Sequence, residues 1–132
     1  MKAIASNLTR PLEIGSGLVC ADNSGAKELK IIGVEARGST SQRRSKAGVA
    51  DKVRVRVTKG NQEVKGEVFI AVIIRQRKEY KRPEGLSVKF EDNAGVLLEE
   101  SGIPKGTKIK GPIAKEVVER FTEVGKIASM VM

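Results

Sequence analysis

Lys52-Val53-Arg54-Val55-Arg56-Val57-Thr58 is the clearest structural signal in this chain. Its three valines alternate strictly with three cations, Lys52, Arg54 and Arg56. A period of two is typical of a β-strand with one face in the core and the other in solvent. The stretch therefore predicts a strand that buries its valines and presents its cations.

Further strands are predicted on both sides of this stretch, because apolar, β-branched runs there are bounded by turn formers. These runs are residues 18–21, 28–35, 68–74, 86–90 and 94–98. Gly33 predicts a bulge or a close backbone approach in the second run, and the unbroken apolar run 68–74 predicts a strand buried on both faces. Several short strands with turn signals between them favour an antiparallel barrel or sandwich.

The C-terminal third has a different pattern. An apolar stripe at helical spacing predicts a helix over 113–122 that packs on the barrel and leaves Glu116 mostly outside. Pro112 can occupy the first turn of that helix. With 132 residues, we expect a single domain with an N-terminal extension (1–16), a barrel (17–98) and a C-terminal loop and helix region (99–132).

The charge is concentrated in the middle of the chain. The net charge is +9, but residues 37–82 contain 14 basic and four acidic residues, a net of +10. Such a local excess indicates one basic surface for a polyanion. The alternative is a solvated basic face without a ligand.

The composition argues against general-base catalysis and against zinc binding. The chain has no His and a single cysteine, Cys20, so the commonest general base and the usual zinc ligand sets are missing. We expect no enzymatic activity, no cofactor, no metal and no small-molecule substrate. The apolar neighbours of Cys20 predict a buried thiol. No signal peptide or membrane-length apolar run is present, so we expect a cytoplasmic protein without membrane contact.

The remaining chemistry is that of phosphate recognition. Arginine forks bind phosphate oxygens in pairs, and the glycine-containing basic loop 38–48 permits close backbone approach. Of the four aromatic residues, Phe69, Phe90 and Phe121 have core-like positions, which leaves Tyr80 to stack on a base. This shortage favours recognition of a folded RNA by shape and phosphate contacts.

Five spaced motifs carry a family resemblance. They are Ala-Asp-Asn-Ser-Gly-Ala (21–26), Ala-Gly-Val-Ala-Asp (47–51), Ala-Val-Ile-Ile-Arg (71–75), Phe-Glu-Asp-Asn-Ala-Gly-Val (90–96) and Gly-Thr-Lys-Ile-Lys-Gly-Pro-Ile (106–113). In this order they resemble the universal fourteenth protein family of the large ribosomal subunit, over residues 18–132. The segments 74–80, 90–93 and 126–129 resemble its archaeal and eukaryotic branch.

The resemblance implies a mainly β fold, a small five-stranded antiparallel β-barrel with a C-terminal segment containing short α-helices. It implies a structural role on the ribosome. Members bind large-subunit rRNA, form an intersubunit bridge to small-subunit rRNA and offer a surface to an anti-association factor. The implied protein neighbours are the third universal large-subunit protein and a zinc-ribbon large-subunit protein.

Two sets of site residues are expected, the first from the basic segment together with the family motifs and the second as implied by the resemblance alone. The expected rRNA contacts are Arg37, Arg43, Arg44, Lys46, Arg54, Arg56, Lys59, Arg75, Arg77, Lys78, Lys81 and Arg82. The expected subunit-interface and factor-binding residues are Thr107, Lys108 and Lys126. Thr107 and Lys108 could instead simply begin a strand. Asp22 and Asn23 are interpreted as turn residues.

Two rival functions stay open at this point. A free RNA chaperone or single-strand binder would need more stacking aromatics than this chain has. A nuclease would need paired acids and a metal, but Glu91-Asp92 and Glu99-Glu100 are adjacent residues that a strand would point apart.

Overall fold

A computed structural model of the protein describes residues 9–35 and 46–132. In these ranges the chain forms short strands and two short helices. In chain order they are β1 (Leu12–Glu13), β2 (Gly17–Cys20), β3 (Ala26–Val34), β4 (Lys46–Ala47), β5 (Lys52–Gly60), β6 (Val68–Arg75), β7 (Tyr80–Lys81), β8 (Ser87–Val88), β9 (Ala94–Leu98), β10 (Ile109–Ile113), α1 (Lys115–Arg120), α2 (Thr122–Ile127) and β11 (Ala128–Val131).

Five of these strands form a closed barrel in the order β2-β3-β5-β6-β9. Four of the neighbouring pairs are antiparallel, and the barrel closes through a parallel pairing of β2 with β9. Val53, Val55 and Val57 of β5 are buried, while Arg54 and Arg56 point outward. The predicted five-stranded barrel and the predicted alternation are both confirmed.

Gly33 lies at an irregularity in the pairing of β3 with β5. The register shifts between Ile31 and Gly33, so the predicted bulge is present. A bulge bends its strand and increases the local twist, which helps a small sheet to close.

Strands β6 and β9 each contribute side chains to two hydrophobic cores. Ala71, Ile73 and Leu97 belong to the core inside the barrel. Val72 and Ile74, on the opposite face of β6, pack with the C-terminal segment in a second core. The prediction of two-sided burial is right from Ala71 onward only, because the side chains before it are partly or largely exposed.

The predicted helix over 113–122 is wrong in its extent and in its start. Pro112 lies in β10, where it pairs with Met130 of β11 in a two-stranded parallel ribbon. Backbone partners hold the next residues extended, since the Met132 amide donates to the Ile113 carbonyl at 2.8 Å and the Ala114 amide to the Ile74 carbonyl at 3.1 Å. The helix therefore begins at Lys115 and ends at Arg120, and a second helix follows after Phe121.

Glu116 is buried, contrary to the expectation that it lies mostly outside. Its carboxylate accepts hydrogen bonds from the Tyr80 hydroxyl at 3.0 Å and from Arg82 Nε at 2.9 Å. Tyr80 is itself only 1% exposed, so the prediction that it is free to stack on a base is wrong. Burial, and then the charge of Glu116, raise the pKa of the Tyr80 hydroxyl.

Replacing Glu116 by Ala is expected to destabilise the protein strongly. The largely buried Arg82 guanidinium would lose its carboxylate partner and keep the Met132 carbonyl oxygen, a loss of about 3–5 kcal/mol in the free energy of unfolding. Chemical denaturation measures this. The control is Glu123→Ala, which removes an exposed ion pair with Lys126 and should cost under about 1 kcal/mol. Equal losses in the two variants would contradict the assigned role of Glu116.

Candidate nucleic-acid interface

The predicted rRNA contacts divide into three groups in the structure. Arg37, Arg43 and Arg44 lie outside the described residues. Two others, Arg75 and Arg82, have largely buried side chains. The remaining seven are exposed, and they are Lys46, Arg54, Arg56, Lys59, Arg77, Lys78 and Lys81.

The outer face of β3 and β5 presents a pair of like charges. Lys30 of β3 lies directly opposite Arg56 of β5, and both residues are exposed. Like charges that face each other across two strands destabilise the sheet. Sequence reasoning missed Lys30 because it precedes the basic segment, although its place in a predicted strand was a usable signal.

Other cations on this face have acidic partners. Arg54 contacts Glu35 at 3.0 Å and Lys59 contacts Glu28 at 3.6 Å. These pairs are solvent-exposed, and exposed pairs contribute little free energy. Both cations therefore stay available to a stronger anion such as phosphate.

The connection after β6, residues 76–79, has a backbone held by hydrogen bonds, while its basic side chains are exposed. Gln76 is fully buried and donates from Nε2 to the carbonyls of Thr9 at 3.0 Å and Lys78 at 2.9 Å. The Arg77 amide donates to Asn93 Oδ1 at 2.8 Å. These contacts hold the main chain while the side chains of Arg77 and Lys78 extend into solvent. No sequence signal identified Gln76.

A surface cleft of about 480 Å³ brings this connection close to the barrel face. Arg77 lines one part of the cleft, and Lys30 and Thr58 of the barrel line another. The structure thus places Lys30 and Arg77, from separate parts of the sequence, around one depression that Glu28, Glu91 and Asp92 also line.

Arg75 and Arg82 bind other parts of the same chain. Arg75 forms a two-pronged pair with Asp92 and donates from Nη1 to the carbonyls of Lys110 and Pro112, both at 2.9 Å. Arg82 pairs with the buried Glu116. Their guanidinium groups connect the barrel, the connection and the C-terminal segment.

The three predicted interface residues lie near one end of the β10–β11 ribbon. Because the two strands are parallel, they begin at the same end, where Ile109 pairs with Ala128. Lys108 directly precedes β10, and Lys126 lies two residues before β11. Thr107, Lys108 and Lys126 are all exposed, and the strand begins one residue after Lys108.

Asn23 positions this end of the ribbon. Its Nδ2 donates to Thr107 Oγ1 at 2.8 Å, and its Oδ1 accepts from the Thr107 amide at 2.8 Å. A Cβ atom on Gly106 would lie 2.7 Å from Asn23 Oδ1, so a larger residue there would displace the Asn23 side chain from this position. Asn23 is therefore more than the turn residue that the sequence indicated.

Asp22 holds the turn between β2 and β3 through its carboxylate. Its Oδ1 accepts from the Ser24 amide at 3.1 Å, as expected for a turn residue, and its Oδ2 accepts from the Leu97 amide of β9 at 3.0 Å. The Cys20 thiol donates to Asp22 Oδ1 at 3.1 Å. Cys20 is buried, which confirms the predicted buried thiol, and burial together with the neighbouring carboxylate raises the pKa of this thiol to about 12.

A metal site, a nuclease site and a membrane-spanning helix can each be looked for in the described part of the chain. Across residues 9–35 and 46–132, no three His, Cys, Asp or Glu side chains are grouped to hold a metal ion. Of the two acid pairs considered for a nuclease, Glu91-Asp92 has its Asp92 carboxylate engaged by Arg75. No helix in these ranges has the length and apolarity needed to cross a membrane.

Replacing Asn23 by Ala should loosen Thr107 and, through a longer contact of 3.4 Å, Lys108. Removal of the side chain frees the Thr107 amide, so its hydrogen exchange should accelerate by roughly fivefold, the equivalent of one hydrogen bond of about 1 kcal/mol. NMR-detected exchange measures this residue by residue.

Asn93→Ala is the matched control, because Asn93 Oδ1 accepts from the Arg77 amide in the same way. This variant should accelerate exchange at Arg77 and leave Thr107 unchanged. A Thr107 amide that exchanges at the parental rate in Asn23→Ala would show that Asn23 does not hold the loop.

The fold and its surface define a class of protein, a small basic β-barrel with exposed cations on its outer face and a C-terminal segment packed on the outside. The sequence model of the family described as ribosomal protein L14p/L23e matches residues 12–132. The large ribosomal subunit protein uL14 of Haloarcula marismortui is 49% identical over 132 residues, covering all of both chains. The uL14 protein of Methanococcus vannielii is 49% identical over 131 residues, covering 99% of both.

The chain therefore belongs to the ribosomal protein L14p/L23e family. This family consists of structural proteins of the large ribosomal subunit and is not a family of enzymes. The resemblance noted from the spaced motifs is thereby confirmed.

Proposed function

We propose that the protein binds large-subunit rRNA through the exposed cations of the barrel and of the connection after β6. We propose further that the end of the ribbon bearing Thr107, Lys108 and Lys126 bridges to small-subunit rRNA. The same end would offer a surface to an anti-association factor. The family supports a structural role on the ribosome, and the arrangement of charges supports the finer assignments.

The pairing of Lys30 with Arg56 is the main observation behind the rRNA assignment. Two exposed cations directly opposite each other weaken an isolated sheet. A phosphate between them replaces this repulsion with two favourable contacts, and the counter-ions released from the RNA add to the affinity. The facing cations lower the stability of the free protein and increase its affinity for a polyanion.

Further contacts come from Lys46, Arg54, Lys59, Arg77, Lys78 and Lys81, which are exposed. Arg37, Arg43 and Arg44 are proposed on the sequence alone. Arg75 and Arg82 are left out of the proposed contacts, since their guanidinium groups serve internal partners.

The ribbon end has the donors that a phosphate needs. Asn23 donates its amide hydrogen to Thr107 Oγ1, which leaves the hydroxyl hydrogen of Thr107 to point at an external acceptor. Lys108 and Lys126 supply positive charge beside it. An anti-association factor that covered this end would compete with the small subunit. The third universal large-subunit protein and a zinc-ribbon protein are proposed neighbours on the family resemblance.

Neutralising the like-charge pair should have opposite effects on stability and binding. In the double variant Lys30→Gln, Arg56→Gln, the free energy of unfolding should rise by about 0.2–1 kcal/mol because the repulsion is gone. Affinity for protein-free large-subunit rRNA should fall. The slope of log affinity against log salt should become shallower by about 0.7–0.9 for each phosphate that is no longer bound.

Lys115→Gln is the control for this pair. It removes one exposed charge of α1, which contacts Glu84, and should leave the salt slope unchanged. Parental affinity and slope in the double variant would remove this face from the rRNA contacts.

Reversing Lys126 should affect subunit joining alone. Lys126→Glu introduces a negative charge at the ribbon end, while the side chain is exposed and pairs only with Glu123 among the described residues. Incorporation into large subunits should stay normal, and the fraction of joined ribosomes in a sucrose gradient should fall several-fold. Lys115→Glu, away from the ribbon end, should join normally. Normal joining of Lys126→Glu subunits would show that this end does not form the bridge.

A further inference from the structure

A second cleft lies between the turn before β9 and the strand β10. It has a volume of about 720 Å³, within the range of small-molecule and nucleotide pockets. Its lining includes Lys89, Phe90, Asp92, Lys110 and Pro112. None of the predicted contact residues except Arg75 lines this cleft.

Phe90 has a different environment from the other aromatic residues. Tyr80 and Phe121 are buried, at 1% and 9% exposure, and the ring of Phe69 has Lys105 Nζ over it at 4.4 Å. Phe90 is partly buried against the outer core and also lines the cleft. It is the aromatic ring best placed in this protein to stack on a flat ligand.

The charge of the cleft favours an anionic ligand. Lys89 and Lys110 are exposed and have no ion-pair partner among residues 9–35 and 46–132. Asp92 is neutralised by Arg75, with contacts of 2.8 and 3.2 Å. Glu91 is the one lining acid without an arginine or lysine partner in the same ranges, so the cleft has a positive excess.

The shape of the cleft is fixed by the chain itself. Arg75 connects Asp92 on one side to the carbonyls of Lys110 and Pro112 on the other. Gly111, with φ of +76°, allows this contact, because a Cβ atom there would lie 2.7 Å from Arg75 Nη1. The two sides of the cleft are therefore held together before any ligand binds.

We propose that this cleft binds an unstacked base of large-subunit rRNA, with the base stacked on Phe90 and the adjoining phosphates at Lys89 and Lys110. Bases splayed out of RNA loops and bulges stack on aromatic side chains in this way. The inference rests on the proposed rRNA binding. It adds one site that recognises an unpaired nucleotide, whereas the rest of the proposed surface contacts phosphates.

The test uses the purified full-length protein and protein-free large-subunit rRNA, with affinities measured over a salt series. Phe90→Leu keeps an apolar side chain against the core but cannot stack, and should lower the affinity about 5- to 150-fold. Stacking involves no counter-ion, so the salt slope should stay parental. Phe90→Tyr should bind like the parent. Lys89→Gln and Lys110→Gln should each make the slope shallower by about 0.7–0.9.

Phe69→Leu is the matched control, since it changes another partly buried aromatic residue outside the cleft. It should bind like the parent, and thermal unfolding of each variant shows that the fold is retained. Parental affinity in Phe90→Leu would overturn the base site while leaving the proposed function intact. Absence of salt-sensitive rRNA binding in the parent would overturn both.

One further outcome would assign the cleft to a protein neighbour. If Phe90→Leu bound rRNA like the parent but failed to enter large subunits in cells, the cleft would receive a side chain of another ribosomal protein. That result would also overturn the base site.

Discussion

The two-sided burial of β6 and β9 governs how the remaining elements of the protein are arranged. Alternate residues of these strands face the interior of the barrel and a second core under the C-terminal segment. Neither core can form fully without the other, because both use the same two strands. The cation-bearing strand β5 pairs with β6, so its outward face is positioned by a strand that is itself held from both sides.

The arginines discussed above fall into two groups, one largely buried and ion-paired and the other exposed. Arg75, Arg82 and Arg120 are largely buried and pair with Asp92, Glu116 and Asp51, respectively, each contributed by a distant part of the chain. Arg54, Arg56 and Arg77 are exposed. A buried guanidinium requires a partner for its charge, whereas an exposed one can exchange a weak surface contact for a phosphate. Burial therefore distinguishes the arginines that hold the fold together from those that we propose as RNA contacts.

The sequence predicted the features that depend on local pattern. The alternation of valine and cation in β5, the bulge at Gly33 and the buried Cys20 thiol all follow from neighbouring residues, and the structure confirms them. The errors concern residues whose environment is set by distant segments. Tyr80 and Glu116 are 36 positions apart and bury each other, and Pro112 lies in a strand because β11 returns beside it. No periodicity within either segment indicates these contacts.

The contact of Asn23 with Thr107 joins residues 84 positions apart. Asn23 belongs to the turn between the first two barrel strands, whereas Thr107 lies beyond the last barrel strand. A chain emerging during synthesis has completed all five strands before Thr107 is made. The loop before β10 therefore takes this shape only where the turn between β2 and β3 is in place to hold Thr107.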